Sequence, residues 1–329
     1  MVRYLVKLGF FLLPVLAVFL TELFVLPIDY FTFRCWEALV ADSDVLGLSG
    51  PFYPNQHLIK QEAGDYLGFQ DPGRRKAEWY TDEFGFRNRP CTRPVQQYDY
   101  VLVGDSNIVG SALDQAETLA EVLARKGKCS TYSYSGGLQQ KKYFWSDPRF
   151  LTPSPKVIVV EARPGEFYKA ASFTWITSDP CELPQAAIPA LPMCARILVS
   201  RAHRQVMLQF AKSRIKSALY GANHESDEKD LGPTERVEFM VSKIVSMQAE
   251  ARRRGSDFIF MLMPGGDRSL DAGIVKLREM GVKTIAYLPT AKYPHGVNMN
   301  WYYQVGRDSH WTKEAVEMTA EQILELAKR

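Results

Sequence analysis

Histidine, cysteine and excess charge of either sign are scarce in this chain of 329 residues, and each shortage narrows the possibilities. Forty Lys and Arg stand against 37 Asp and Glu, a formal balance of +3. A chain that binds nucleic acid usually carries a concentrated basic face, so this balance argues for no nucleic-acid partner. Five cysteines in a chain of this length do not make a disulfide-held miniprotein. Internal repeats and low-complexity tracts are absent. With 46% hydrophobic and 23% charged residues, the composition excludes a disordered or collagen-like chain. The mean hydropathy of −0.19 excludes a multi-span membrane protein.

One long apolar run stands out against that average. Leu8 to Leu26 is nearly all apolar, broken by Thr21 and Glu22. At helical rise it spans about 28 Å, close to the thickness of a bilayer core. Arg3 and Lys7 precede it, and basic residues stay on the cytoplasmic side. Residues 1–27 therefore read as a single-pass signal anchor in the inner (cytoplasmic) membrane, with the remainder extracytoplasmic, in the periplasm. A cleaved signal peptide has the same basic start. The run is followed by Pro27-Ile28-Asp29-Tyr30, without a small-x-small cleavage site. Pro14 kinks such a helix but is tolerated in a membrane. The cysteines fit an oxidising compartment. Cys181 and Cys194 bracket a Pro- and Ala-rich stretch and are a candidate disulfide, and Cys91 with Cys129 is a second pairing. The alternative is that all are reduced and buried.

Residues 28–97 form a lead-in rich in Gly, Pro, aromatics and charge, with little periodicity from 43 onward. After it, strands and helices alternate. Tyr98–Val103, Ser130–Tyr134, Lys156–Glu161, Asp257–Met263 and Lys283–Leu288 read as strands. Glu117–Lys126, Glu235–Arg254 and Thr312–Lys328 read as helices, with Gly127 stopping the first and Thr312 capping the last. Unbroken apolar strands alternating with helices predict an α/β fold with a parallel sheet between helical layers. Residues 165–232 interrupt this rhythm and read as a mainly helical insertion in a domain spanning 98–329.

Parallel sheets place their sites beyond the carboxyl ends of the strands. The first strand ends in Gly104-Asp105-Ser106-Asn107, a tight turn that exposes a hydroxyl at the sheet edge. An ordinary turn with Ser106 as a helix N-cap is the bland reading. Serine needs a base to act as a nucleophile. Of five histidines, His310 stands apart, in Arg307-Asp308-Ser309-His310-Trp311-Thr312 directly before the last helix. Asp308 and His310 are two apart, so in extended chain their side chains point the same way. A carboxylate there holds the imidazole Nδ1–H and leaves Nε2 for the serine. Oxyanion donors are also required. The Ser106 amide is one candidate, and Gly136 or Gly137 after the second strand is another.

Gly104-Asp105-Ser106 after strand one, Gly136-Gly137 after strand two and Asp308-x-His310 before the last helix resemble the SGNH/GDSL hydrolase superfamily. The Asp-Ser-His-Trp wording resembles its alginate O-acetyltransferase-like branch. The lead-in Thr81-Asp-Glu-Phe-Gly-Phe-Arg-Asn88 is similar to segments ahead of the nucleophile strand in surface-polysaccharide proteins. The resemblance covers residues 78–163 and 233–329. It implies a three-layer SGNH (flavodoxin-like) sheet with Ser106 as nucleophile, His310 as base and Asp308 as its orienter. Departures exist. The alginate enzymes carry Asp-x-His ahead of the serine, ordinary GDSL hydrolases have Asp-x-x-His, and the superfamily's oxyanion asparagine follows strand three. Here that point reads Glu161-Ala-Arg163-Pro-Gly-Glu166, so Asn107 or Arg163 is the candidate replacement.

An anchored, outward-facing site implies an acyl group on a cell-surface or exported polysaccharide. Trp145, Trp301 and Trp311 are candidates to stack on sugar rings, and Arg307 to favour an acidic polymer; core packing and solvated charge are the bland readings. Three functions stay open. An O-acetyltransferase takes acetyl onto Ser106 from a multi-span membrane O-acyltransferase and passes it to a glycan hydroxyl. An esterase uses water as acceptor. A scaffold subunit of an export complex binds glycan without catalysis. None of them calls for a metal or cofactor.

Overall fold

The computed structural model describes residues 2–30, 32, 34–62, 75–90, 95–111, 113–136, 138–168, 181–204, 231–263, 269–286 and 310–329. In chain order the elements are α1 (Val2–Phe24), α2 (Cys35–Leu39), α3 (Ser43–Leu46), β1 (His57–Glu62), β2 (Arg75–Tyr80), β3 (Tyr100–Gly104), α4 (Ser106–Val109), α5 (Leu119–Gly127), β4 (Thr131–Ser135), α6 (Leu138–Phe144) and β5 (Val157–Ala162). There follow α7 (Met193–Arg204), α8 (Pro233–Arg253), β6 (Asp257–Leu262), α9 (Ser269–Glu279), β7 (Lys283–Ile285) and α10 (Lys313–Lys328).

Five strands form one parallel sheet in the order β4-β3-β5-β6-β7. All six residues of β5 are buried, which explains its continuous apolar run. Side chains alternate across the sheet. Val101, Val103, Ile158, Val160, Phe258 and Phe260 meet α8 and α9 on one face. Leu102, Val157, Val159, Ile259 and Met261 meet α5 and α10 on the other. The strand order reverses at β3, because β4 and β5 lie on its two sides. Such a reversal opens a crevice at the carboxyl ends of β3 and β5, where doubly wound folds bind ligands.

The lead-in is more ordered than its composition predicts. β1 and β2 pair antiparallel. Ala77 and Trp79 alternate inward from β2 onto a small core with Cys35, Leu39, Phe52 and Val109. The segment Thr81–Asn88 owes its wording to structure. Asp82 Oδ1 accepts the amides of Phe84 and Phe86 at 3.0 Å each. Its Oδ2 accepts from Asn88 Nδ2 at 2.9 Å and from the Tyr132 hydroxyl at 2.7 Å. Burial pushes this carboxyl up from its ordinary value, although those hydrogen bonds and the nearby Arg149 pull the other way. The Asn88 side chain closes the free edge of β4, donating to Ser133 O and accepting its amide.

Arg87 is the deepest link. It is 2% exposed and stacks on the Trp79 ring at 3.7 Å. Its guanidinium donates to the carbonyls of Val109, Gly110, Leu113 and Glu78 and to Gln115 Oε1, at 2.6 to 3.1 Å. Val109 and Gly110 end α4, so the lead-in holds the chain just past the turn that carries Ser106.

The expected disulfide is not formed. Cys181 and Cys194 are free thiols: Cys181 Sγ lies 3.4 Å from Lys142 O and Cys194 is exposed. Cys129 is also free, and Cys91 lies outside the described residues. The described part of the 165–232 insertion contains a short 3-10 turn, Pro164–Phe167, and one helix, α7. That helix packs on the lead-in rather than on the sheet: Ser200 Oγ accepts the Asp42 amide at 3.0 Å, and Arg201 donates to Leu26 O at 3.4 Å. Among the described residues no helix is long and apolar enough to cross a membrane. On α1 itself side chains are described from residue 9 onward, apart from residue 11, and Phe10, Leu12, Leu13, Val15, Val18 and Phe24 are all exposed.

Arg87→Met keeps the length of the side chain but takes the guanidinium away from three buried carbonyls and a part-buried one. It should lower the unfolding free energy by at least about 3 kcal/mol, read from the urea midpoint. A loss under about 1 kcal/mol contradicts the clamp.

Candidate active site

β3 ends at Gly104, and the end must be glycine. A Cβ there would lie 2.2 Å from Ile108 Cγ1 and 2.6 Å from Glu161 Oε2. Asp105 is the N-cap of α4, its Oδ1 accepting the Asn107 amide at 3.0 Å. Ser106 is thus the first helical residue rather than the cap, and it is partly exposed at the edge of the crevice.

The histidine segment is brought to this edge across the whole sequence. The Trp311 amide donates to Asn107 Oδ1 at 3.3 Å. The Trp311 ring is 1% exposed and packs with Ile108, Leu113 and α10. Thr312 caps α10 by accepting the Ala315 amide, as its sequence position predicts. Ser106 precedes Asn107 and His310 precedes Trp311, so one buried hydrogen bond brings the two residues to the same edge. His310 is partly buried. Asp308, Arg307, Trp301 and Gly137 lie outside the described residues.

Other candidates are placed differently. The Gly136 amide donates to Gly104 O at 3.2 Å, continuing the ladder between β3 and β4, so it is engaged and not aimed at a substrate. A Cβ on Gly136 would lie 2.3 Å from Pro51 Cγ, so this glycine serves close packing against the lead-in. Asn107 Oδ1 accepts the Trp311 amide, so only its Nδ2 is a donor there. Trp145 is 3% exposed and sits among Phe144 and Phe150. Neither Trp145 nor Trp311 faces the crevice; both are core, because each ring finds enough apolar neighbours to be drawn inside.

Sequence reasoning missed the charged cluster beneath the turn. Glu161, fully buried, is the last residue but one of β5, and its Oε2 accepts the Asp105 amide at 2.8 Å. Lys141 of α6 is 1% exposed; its Nζ donates to Glu161 O at 2.8 Å and to both Glu166 carboxylate oxygens at 3.1 Å, and lies 3.7 Å from Glu161 Oε2. The Arg163 Nε pairs with Asp105 Oδ2 and lies 3.5 Å from Glu166 Oε1, while the Arg163 amide donates to Glu166 at 3.2 Å. The signal was present. A carboxylate inside a strand covered on both faces demands a cation, and Lys141 supplies it.

Three carboxyls share two cations here. Burial, then the neighbouring Asp105 charge, pushes Glu161 up to about 8 against the pull of Lys141. Burial also raises Glu166. Burial disfavours the charged forms of Lys141 and Arg163, but the surrounding carboxylates outweigh it and hold both cations more firmly charged. With a proton on Glu161 the five groups sum to zero. Among the described residues no group of three or more His, Cys, Asp and Glu side chains is placed to hold a metal ion.

Comparisons with known proteins follow this geometry. No protein-family model and no curated protein matches the chain. Some solved structures resemble it weakly. One, assigned to a lipolytic G-D-S-L family, from Desulfitobacterium hafniense, is 12% identical with a TM-score of 0.39, over 69% of this chain and 99% of that one. An acetyl xylan esterase from the rumen bacterium Butyrivibrio proteoclasticus is 13% identical with a TM-score of 0.35, over 87% of this chain and 85% of its own. A carbohydrate esterase is 10% identical with a TM-score of 0.41, over 88% and 86%. Likeness of this degree says nothing further about the chemistry of this chain.

Glu161 binds its proton more tightly folded than unfolded, so between about pH 4.5 and 8 the unfolded chain carries less of it. Stability should therefore fall as pH rises through that window, by up to about 1.4 kcal/mol per pH unit for one proton. Glu161→Gln should flatten this slope relative to the native chain in urea titrations at several pH values. An unchanged slope contradicts the assignment of the proton to Glu161.

Proposed function

We propose that this chain is a serine-dependent acyl-transfer enzyme of the SGNH/GDSL type, anchored by α1, which moves acetyl groups on an extracytoplasmic polysaccharide. The observation that carries the reading is the buried hydrogen bond from Trp311 to Asn107, which draws the Ser106 turn and the His310 segment to one edge of the crevice. The position agrees with the rule that open parallel sheets bind ligands at the strand-order reversal.

The chemistry follows from the residue types. Ser106 Oγ attacks the acyl carbon while His310 Nε2 takes its proton. The tetrahedral intermediate collapses as the imidazolium returns that proton to the leaving oxygen. An acetyl-serine remains. An acceptor hydroxyl, deprotonated by the same imidazole, then removes the acetyl group. Asp308, by the motif resemblance, holds Nδ1–H and fixes the tautomer. With a glycan hydroxyl as acceptor the enzyme is an O-acetyltransferase, and with water it is an esterase.

The membrane part of the proposal rests on the Leu8–Leu26 run, on Arg3 and Lys7 before it, and on the exposed apolar side chains of α1. Acetyl-CoA belongs to the cytoplasm, so an outward-facing site needs a membrane acyl carrier, and a multi-span O-acyltransferase has the required chemistry. The polysaccharide as acceptor rests on the motif resemblance alone.

The test uses p-nitrophenyl acetate with and without mannuronate and xylan oligosaccharides, followed by product mass analysis. Ser106→Ala and His310→Ala should each lower kcat/KM by about a thousandfold or more, because the two act as a unit. The oligosaccharide should gain acetyl only with the native chain. Equal, slow acetate release by native protein and Ser106→Ala overturns the catalytic reading in favour of a glycan-binding scaffold.

A further inference from the structure

We propose that Arg163 is a catalytic residue, the second donor to the oxyanion that forms when Ser106 attacks an acyl group; this rests on the acyl-transfer reading above. Other groups near the turn are engaged elsewhere. The Gly136 amide is consumed by Gly104 O. Asn107 spends its Oδ1 on accepting the Trp311 amide, and its side chain brings no positive charge to the edge. Lys141 is sealed beneath the turn against Glu161 and Glu166 and does not reach the crevice.

The sign of the local field makes a cation necessary. The Asp105 carboxylate is one residue from Ser106, with Glu161 and Glu166 behind it. An oxyanion forming at Ser106 with nothing between it and these carboxyls meets like charge in a partly dry edge, where such repulsion is large. Arg163 is the group that balances this charge on the crevice side. It follows the last residue of β5, and β5 lies beside β3 with Val160 opposite Val103. Its guanidinium is therefore at the carboxyl-end crevice, next to the serine turn.

Its setting is that of a preorganised donor. The closest contacts with Asp105 and Glu166 are both made at Nε, and these two carboxylates are almost wholly buried. The Arg163 side chain itself remains 53% exposed. The fork is thus paired at its Nε edge, while about half of the side chain stays open to solvent. A guanidinium held this way reorients little when charge develops, which is the condition for strong transition-state stabilisation. In the step, the Oγ–C bond forms, the carbonyl π pair moves onto oxygen, and the serine proton goes to His310 Nε2. The new oxyanion accepts from the Ser106 amide and from Arg163. When it collapses, the C–O bond to the leaving group breaks and the imidazolium proton goes to that oxygen.

The experiment compares the native chain with Arg163→Gln and Ser106→Ala on p-nitrophenyl acetate and on mono-p-nitrophenyl succinate, a carboxylate-bearing ester. Butylboronic acid, which forms an anionic tetrahedral adduct on serine, is the transition-state probe. Arg163→Gln should lower kcat on both esters by about a hundred- to a thousandfold with KM changed less than about threefold. Its affinity for butylboronic acid should fall in parallel, which a merely structural role does not produce. If Arg163→Gln fails to fold, Arg163→Lys is measured in its place. That variant keeps a cation against both carboxylates but lacks the fork, and its kcat should still drop at least about tenfold. Native kcat in whichever variant folds overturns the proposal. So does a rise of KM confined to the succinate ester, which makes Arg163 a site for a substrate carboxylate. Full activity in Ser106→Ala overturns the acyl-transfer reading itself, whereas an inactive Ser106→Ala beside a fully active Arg163→Gln defeats the Arg163 proposal alone.

Discussion

A carboxylate buried at the end of the central strand sets the terms for everything around it. Glu161 has no access to water, so the fold must supply its partners. The Asp105 amide is one, and accepting it fixes where the chain turns after β3. Lys141 is another, and it ties α6 to the end of β5. The approach of Glu161 and Ile108 to β3 leaves room for no side chain at residue 104. Asp105, held at its amide, spends one oxygen on capping α4 and the other on Arg163. The position of Ser106, the identity of Gly104 and the grip on Arg163 are consequences of one matched set of buried charges.

The turn is also held from two other directions, each by a group far away in sequence. Arg87 collects the carbonyls that follow α4, and Asp82 and Asn88 fasten that lead-in segment to β4. Asn107 receives the amide of Trp311, and the tryptophan ring drives this contact by burying itself against α10 and Ile108. A serine edge fixed by the core below, the lead-in beside it and the last helix above has little freedom left. Active sites that need near-attack geometry are built on such constraint.

The parts legible in sequence are those governed by local pattern. The unbroken apolar run of β5, the alternation of strands and helices and the Thr312 cap each follow from short-range physics, and the structure places them within a few residues of expectation. The parts that were not legible depend on partners distant in the chain. Nothing local to Lys141 marks it as interior; it becomes a buried cation only because Glu161 and Glu166, distant in the chain, are brought to it. Trp145 and Trp311 read as sugar-stacking rings, yet their burial is decided by tertiary neighbours. The wording of Asp82–Asn88 reads as a family signature, and its physical meaning appears only once Arg87 meets the end of α4. The spacing of Cys181 and Cys194 suggested a bridge that the path of α7 does not make.

The central claim is that Ser106 carries the acyl group covalently. The most direct measurement is to mix the purified chain with an activated acetyl ester, quench in acid within the first turnovers and map the peptides by mass spectrometry. An acetyl group on the peptide containing Ser106, absent from Ser106→Ala and accumulating less readily in His310→Ala, is the predicted result. Ester turnover by the native chain with no acetyl on Ser106 at any quench time would contradict the account.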